Sequence, residues 1–152
     1  KPHWGFFTFM KKEYKIAIIG LGYVGLPLAI AFSKFYNVVG FDIDNEIIKN
    51  LQNNIDSNFD IEIQHHSNLK YTSLINDIKD SNIYIVTVPT PLTKDNIPDL
   101  TLLKSATKML STFINKGDIV IYESTVYPGV TEDVCVPIIE KISSLTFNND
   151  FF

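Results

Sequence analysis

The stretch that most constrains this chain is Lys15-Ile16-Ala17-Ile18-Ile19-Gly20-Leu21-Gly22-Tyr23-Val24-Gly25-Leu26-Pro27-Leu28-Ala29. An apolar run enters a turn with glycines at 20, 22 and 25, and small and apolar residues follow at helical spacing. A run that is apolar throughout, rather than alternating, suits a strand covered by helices on both faces of a parallel sheet. The spacing G-x-G-x-x-G is informative only between a strand and a helix, and here it has both neighbours. Gly20 permits a tight turn, Gly22 lets backbone approach a pyrophosphate, and Gly25 lets helix and strand pack closely. The N–H groups that open the helix, Tyr23 and Val24 among them, together with its dipole, favour a phosphate there.

A second strand reads from Asn37 to Phe41 and ends at Asp42, 22 residues after Gly20. A carboxylate at that place accepts hydrogen bonds from the adenosine ribose and repels the 2′-phosphate of NADP, so the pattern points to NAD. Asp44 competes for the role, although capping a helix that turns Ile47, Ile48 and Leu51 inward accounts for it as well.

The first helix is predicted from Gly22 to about Phe35, with Val24, Leu28, Phe32 and Phe35 near a common face. Pro27 falls in its first turn, where a missing N–H costs little. From Asn53 to Leu69 the chain is polar and aperiodic. His65-His66 lies there without cysteine or carboxylate at ligand spacing and reads as solvated loop, so no metal site is assigned. A short strand near Lys70–Thr72 and a small helix around Ser73–Lys79 come next, then a strand over 82–88. Pro98-Asp99 opens a helix that repeats Leu100, Leu103, Thr107, Leu110 and Ile114, closed by Lys116-Gly117-Asp118. Asp118 to Tyr122 reads as a strand. The last helix is predicted over Thr131–Lys141, kinked at Pro137, with Glu132 and Asp133 near its positive end. Asp150-Phe151-Phe152 looks like the approach to another strand. The alternation specifies an α/β, Rossmann-type, doubly wound and mostly parallel sheet, with right-handed crossovers and helices on both faces.

In such sheets ligands gather beyond the carboxyl ends of strands. Val88-Pro89-Thr90-Pro91-Leu92 and Glu123-Ser124-Thr125-Val126-Tyr127-Pro128-Gly129 both leave such ends, and both set a hydroxyl residue beside proline. Alone, each is an ordinary turn; with the glycine loop they make one crevice.

A chain of 152 residues, 45% hydrophobic and 20% charged, has the size and composition of one globular domain. Its net charge of −4 argues against nucleic acid or an anionic membrane as partner. The single cysteine, Cys135, excludes an internal disulfide and fits a reducing, cytoplasmic setting. Residues 1–9 are too few for a membrane span. Met10 reads as a natural start, which makes 1–9 an extension and 10–152 the domain; a native arm packing its aromatics on the domain is the other reading.

Four blocks in this order resemble the UDP-glucose/GDP-mannose dehydrogenase family: Gly20 to Ala29, Phe41-Asp-Ile-Asp44, Thr87-Val-Pro-Thr-Pro-Leu92 and Glu123 to Gly129. The similarity extends over about residues 14–152. Within the family, Glu123 to Gly129 and Pro98-Asp-Leu-Thr101 look most like the branch that oxidises UDP-N-acetylglucosamine or UDP-N-acetylgalactosamine at C6 for surface polysaccharide synthesis. The resemblance implies two NAD-dependent oxidations, alcohol to aldehyde to carboxylate, the second through a thiohemiacetal on a cysteine. Carried over, Gly20 to Gly25 would cradle the pyrophosphate and Asp42 would hold the adenosine ribose. Val88, Pro89, Thr90 and Pro91 would lie along the cofactor, with Thr90 as hydrogen-bonding residue. Ser124 and Thr125 would reach the cofactor too, and Thr125 would support catalysis near the nicotinamide.

Two departures from the family qualify this. Many relatives place Arg or Lys five residues after the ribose aspartate; this chain has Ile47. The family also continues beyond the matched part into a Ser-Pro-Glu segment with catalytic glutamate, a dimerising helix with catalytic Lys and Asn, and a sugar-binding domain with the nucleophilic cysteine. Those features are not in this sequence, and Cys135, between Val134 and Val136, reads as a buried structural thiol. The expectation is therefore an NAD-binding domain of a homodimeric UDP-sugar dehydrogenase, inactive alone. A nucleotide- or partner-binding module without catalysis is the alternative, as is another Rossmann oxidoreductase.

Overall fold

The computed structural model describes residues 13–55 and 67–152. The expectations for residues 1–9, Met10 and His65-His66 fall outside the described residues. In chain order the elements are β1 (Lys15–Ile19), α1 (Gly25–Ser33), β2 (Asn37–Phe41), α2 (Asn45–Gln52), β3 (Leu69–Thr72), β4 (Ile83–Val86), α3 (Thr101–Ser111), β5 (Ile119–Tyr122) and α4 (Val136–Ser143).

The five strands pair in parallel in the order β3-β2-β1-β4-β5. From β1 the chain moves outward to β3, then returns to the other side of β1. That reversal separates the loops leaving β1 and β4 and opens a crevice between them. The register sets its floor: Ile19 pairs with Phe41 and with Val86, so β1, β2 and β4 end level. Gly20, Asp42 and Thr87, each the next residue, therefore meet at one edge.

Helices cover both faces because successive strand side chains point to opposite sides. Ile16, Ile18, Val38 and Ile85 pack under Leu26 and Ala29 of α1 and Ile48 and Leu51 of α2. Ala17, Ile19, Phe41, Tyr84 and Val86 pack under Leu103 and Leu110 of α3 and Ile139 of α4. Each fully buried leucine here contributes about 1.5–3 kcal/mol relative to exposure. The aliphatic runs of β1 and β4 thus face two cores at once.

Some predicted boundaries need correction. α1 starts at Gly25 and ends at Ser33, and its inward residues are Gly25, Leu26, Ala29 and Ser33. Val24 and Phe35, expected near a common face with Leu28 and Phe32, are exposed at 49% and 79%. The close approach at Gly25 turns α1 so that its small residues face the sheet. The helix expected around Ser73–Lys79 is one 3₁₀ turn, Ile75–Asp77. α3 closes at Ser111, short of Lys116, although Leu100, Leu103, Thr107, Leu110 and Ile114 are all buried as their spacing requires. The last helix opens with a π turn, Thr131–Cys135, in which the Val136 N–H reaches the Thr131 carbonyl. Pro137 then stands at the start of the α segment, where its missing N–H is tolerated, rather than inside an α-helix.

The tail meets the edge strand as its apolar residues suggest. The Phe152 N–H donates to the Asp118 carbonyl at 3.0 Å, and the Val120 N–H donates to the Phe152 carbonyl at 2.7 Å. That alternation is the parallel pattern.

Candidate functional site

The glycine turn owes its shape to contacts that only glycine allows. Gly20 has φ +100°, and a Cβ there would press on the Thr87–Val88 peptide at 3.2 Å. A Cβ on Gly25 would stand 1.8 Å from the Gly20 carbonyl oxygen and 2.5 Å from Thr87 Oγ1. Gly22 differs: a Cβ there would meet no protein atom within 4 Å. Its outer face is open, which is the geometry needed where a ligand phosphate approaches backbone.

That open face borders a cavity of about 560 Å³ between the ends of β1, β2 and β4 and helix α3. Of the residues singled out from sequence, Gly20, Gly22, Asp42, Val88 and Pro89 line it. Asp44 lines it too, while its Oδ1 accepts from the Glu46 and Ile47 N–H groups at the start of α2. The helix cap inferred for Asp44 is therefore present.

Asp42 has backbone partners of its own. Oδ2 accepts from the Leu21 N–H at 2.8 Å and Oδ1 from the Asp44 N–H at 3.0 Å. A carboxylate offers about four lone-pair sites, so acceptor capacity remains for a ribose diol.

The other named residues lie outside the cavity lining. Tyr23 and Val24 are exposed on the turn that leads into α1, and Gly25 is buried beneath it. The Thr90 hydroxyl donates to the Thr125 carbonyl, and the Ser124 hydroxyl donates to the Val88 carbonyl at 2.7 Å. Both donors thus tie the loop after β4 to the loop after β5. The Pro91 carbonyl accepts from the Asp99 N–H at 2.7 Å, closing a small hairpin in which Leu92 bridges Pro98. Thr125 keeps an exposed side chain.

Sequence reading missed two parts of the site. One is an apolar wall: Ile43, Ile47, Ile75, Leu102, Ala106 and Met109 line the cavity, with Ser105 among them. On α3 the signal was available, since 102, 105, 106 and 109 follow the i, i+3, i+4, i+7 rule for a second face beside the core one. The other is Thr87. Its side chain is buried, and Oγ1 donates to the Gly20 carbonyl at 2.6 Å and lies 3.1 Å from the Ile19 carbonyl. Cys135, by contrast, is buried in the core away from the crevice, where burial pushes its thiol up from the usual range beside Thr107 and Tyr122. Among the described residues no three His, Cys, Asp or Glu side chains form a metal-binding group, and no helix is long and apolar enough to cross a membrane.

Known proteins are similar to this chain in sequence and in fold. UDP-N-acetyl-D-glucosamine 6-dehydrogenases of Salmonella typhi and Pseudomonas aeruginosa are 53% and 51% identical to this chain over 92% and 93% of it. The chain spans about a third, 34%, of the length of each of these curated relatives. The solved structure of a UDP-D-ManNAc dehydrogenase from Pyrococcus horikoshii superimposes with a TM-score of 0.84 at 38% identity, over 90% of this chain and 34% of that one. The profile of the NAD-binding domain of the UDP-glucose/GDP-mannose dehydrogenases matches residues 14–152. With the glycine turn, its open face and the parallel sheet in place, the chain belongs to the UDP-glucose/GDP-mannose dehydrogenase family and is its NAD-binding domain.

Proposed function

We propose that this domain serves a UDP-N-acetylhexosamine 6-dehydrogenase, holding NAD across the crevice for oxidation of the sugar C6 hydroxyl to a carboxylate. The observation that carries the reading is the open face of Gly22 over a cavity bounded by Asp42. In this reading the pyrophosphate lies on the glycine turn, against the N–H groups from Gly22 through Tyr23 and Val24 to Gly25, the first residue of α1. Asp42 accepts from the adenosine ribose, and the apolar wall from Ile47 to Met109 receives the adenine. Val88, Pro89, Thr90, Pro91, Ser124 and Thr125 lead from the cavity toward the nicotinamide end. The exposed Thr125 hydroxyl is the group of this chain nearest in kind to a catalytic one, a donor to the reacting oxygen. Bound NAD supplies the hydride acceptor.

The sugar assignment is supported by the names of the relatives that are 53% and 51% identical. Surface polysaccharide synthesis, a cytoplasmic setting and a homodimeric parent belong to the same proposal, as does the division into an extension at 1–9 and a domain at 10–152. The chain alone binds NAD without turnover, because hydride transfer needs a sugar held against the cofactor. Its one thiol, Cys135, is buried and cannot form a thiohemiacetal.

Calorimetric titration with NAD and NADP tests the binding reading. Saturable NAD binding, with NADP about tenfold weaker or worse because Asp42 and Asp44 face its extra phosphate, is expected. NADP binding as tight as NAD would overturn it. Steady NADH formation by this chain from NAD and a UDP-N-acetylhexosamine would overturn the claim that it has no turnover alone.

A further inference from the structure

One peptide group in the glycine turn is gripped from both sides. The Gly20 carbonyl accepts from Thr87 Oγ1 at 2.6 Å, and the Leu21 N–H donates to Asp42 Oδ2 at 2.8 Å. These two atoms belong to the same planar unit, so bonds at both ends fix its rotation. Thr87 comes from the end of β4 and Asp42 from the end of β2, so the strands flanking β1 hold the turn between them. The Gly20 N–H also donates to the Phe41 carbonyl at 2.8 Å, and the buried Leu21 side chain lies over Gly40, where a Cβ would meet it at 2.9 Å. The next residue along is Gly22, whose outer face is open.

We propose that Asp42 and Thr87 form a clamp on the Gly20–Leu21 peptide and are positioning residues for the pyrophosphate site. Asp42 therefore serves two ends of the cofactor: the ribose through its remaining lone pairs and the phosphates through the turn it anchors. This rests on the NAD reading of the crevice. The chemistry of the clamp demands a carboxylate. Both backbone partners of Asp42 are donors, the Leu21 and Asp44 N–H groups, and each carboxylate oxygen receives one. An asparagine has one acceptor oxygen and would turn its NH₂ toward the second N–H. Asp42→Asn thus breaks the clamp or the Asp44 contact without fixing which, whereas Asp42→Ala removes both acceptors. Thr87→Val removes only the hydroxyl and keeps the β-branched shape.

The clamp and a ribose-only role for Asp42 separate with ligands that lack the ribose diol. Dissociation constants for ADP and 2′,3′-dideoxy-ADP are measured on the full chain, on Asp42→Ala, Thr87→Val and Thr87→Ser, and on the Asp42→Ala/Thr87→Val double variant. Losing a hydrogen bond that orders a phosphate cradle corresponds to about a tenfold weakening. Asp42→Ala and Thr87→Val are expected to weaken dideoxy-ADP by about that factor, and Thr87→Ser to restore it. The double variant is expected to fall well short of the product of the single losses, because both residues act on one peptide. Amide exchange on the ligand-free wild type gives a readout independent of any variant: the Leu21 N–H is expected to be protected. Asp42→Ala that weakens ADP but leaves dideoxy-ADP within about twofold of wild type overturns the clamp, as does a fast-exchanging Leu21 amide. Failure of the wild type to bind either nucleotide would overturn the NAD reading instead, with the exchange measurement still deciding the clamp.

Discussion

Alanine placed at two neighbouring glycines of the turn should have opposite consequences. At Gly25 a Cβ would lie 1.8 Å from the Gly20 carbonyl oxygen, whereas real Cβ contacts do not fall below 3.0 Å. Helix α1 and the turn must then part by about 1.2 Å. The obstacle is backbone, so no side-chain rotation relieves it, and the movement pulls Leu26 and Ala29 from their core. Overpacking of this kind costs about 3 kcal/mol at its upper range, and a domain of this length loses about 6–12 °C in melting temperature. At Gly22 the same methyl meets no protein atom within 4 Å, and φ lies outside the left-handed region. Gly22→Ala is therefore expected to leave stability unchanged or raise it by up to about 1 kcal/mol, through lower chain entropy in the unfolded state. The methyl stands where phosphate oxygens approach backbone, so NAD affinity falls by about tenfold or more. Differential scanning calorimetry and NAD titration on both variants decide the matter. A Gly22→Ala protein that binds NAD like wild type, or that melts several degrees lower, would refute the reasoning.

Further perturbations test the apolar wall and the titrating groups. Ile47→Lys adds a cation to a cavity bordered by Asp42 and Asp44; titration is expected to show NADP gaining more affinity than NAD, by about threefold or more, with steeper salt dependence. Hydrogen bonds from Thr72 and Lys70 hold the Asp77 carboxyl below its ordinary range, as those from Lys116 and Thr146 do for Asp150. Folded values below unfolded ones mean stability present above about pH 4 and lost as pH falls further, which melting curves from pH 6 to 2 would show. The buried groups run the other way. Burial raises the Cys135 thiol and the Tyr84 and Tyr122 hydroxyls, so their stabilisation holds below the unfolded values, about 8.5 and 10, and is lost as pH rises beyond them. A thiol reagent at pH 8 is accordingly expected to label Cys135 slowly in the native chain and at once in denaturant.

Much of this was legible because the residues concerned act locally. Asp44 is followed by helix formers and caps them; Ile16 to Ile19 has no polar residue and is buried on both faces. The α3 core face followed from its spacing alone. Other features depend on partners remote in sequence. Thr87 and Gly20 are 67 residues apart and touch only because parallel pairing ends β1 and β4 level. That the Thr90 and Ser124 hydroxyls also bind the loops after β4 and β5 to each other depends on carbonyls 35 and 36 residues away. The outward turn of Val24 and Phe35 likewise follows from where Gly25 meets the sheet, which no helical period encodes.

The central claim, that NAD lies in the crevice over the glycine turn, is tested most directly by amide chemical-shift mapping of the isotopically labelled chain during NAD titration. Saturating shifts at Gly20, Gly22, Asp42, Ile43 and Val88, with little change at Phe35, Cys135 or Asp150, are the expected result. Absence of saturable shifts, or shifts centred away from the ends of β1, β2 and β4, would contradict it.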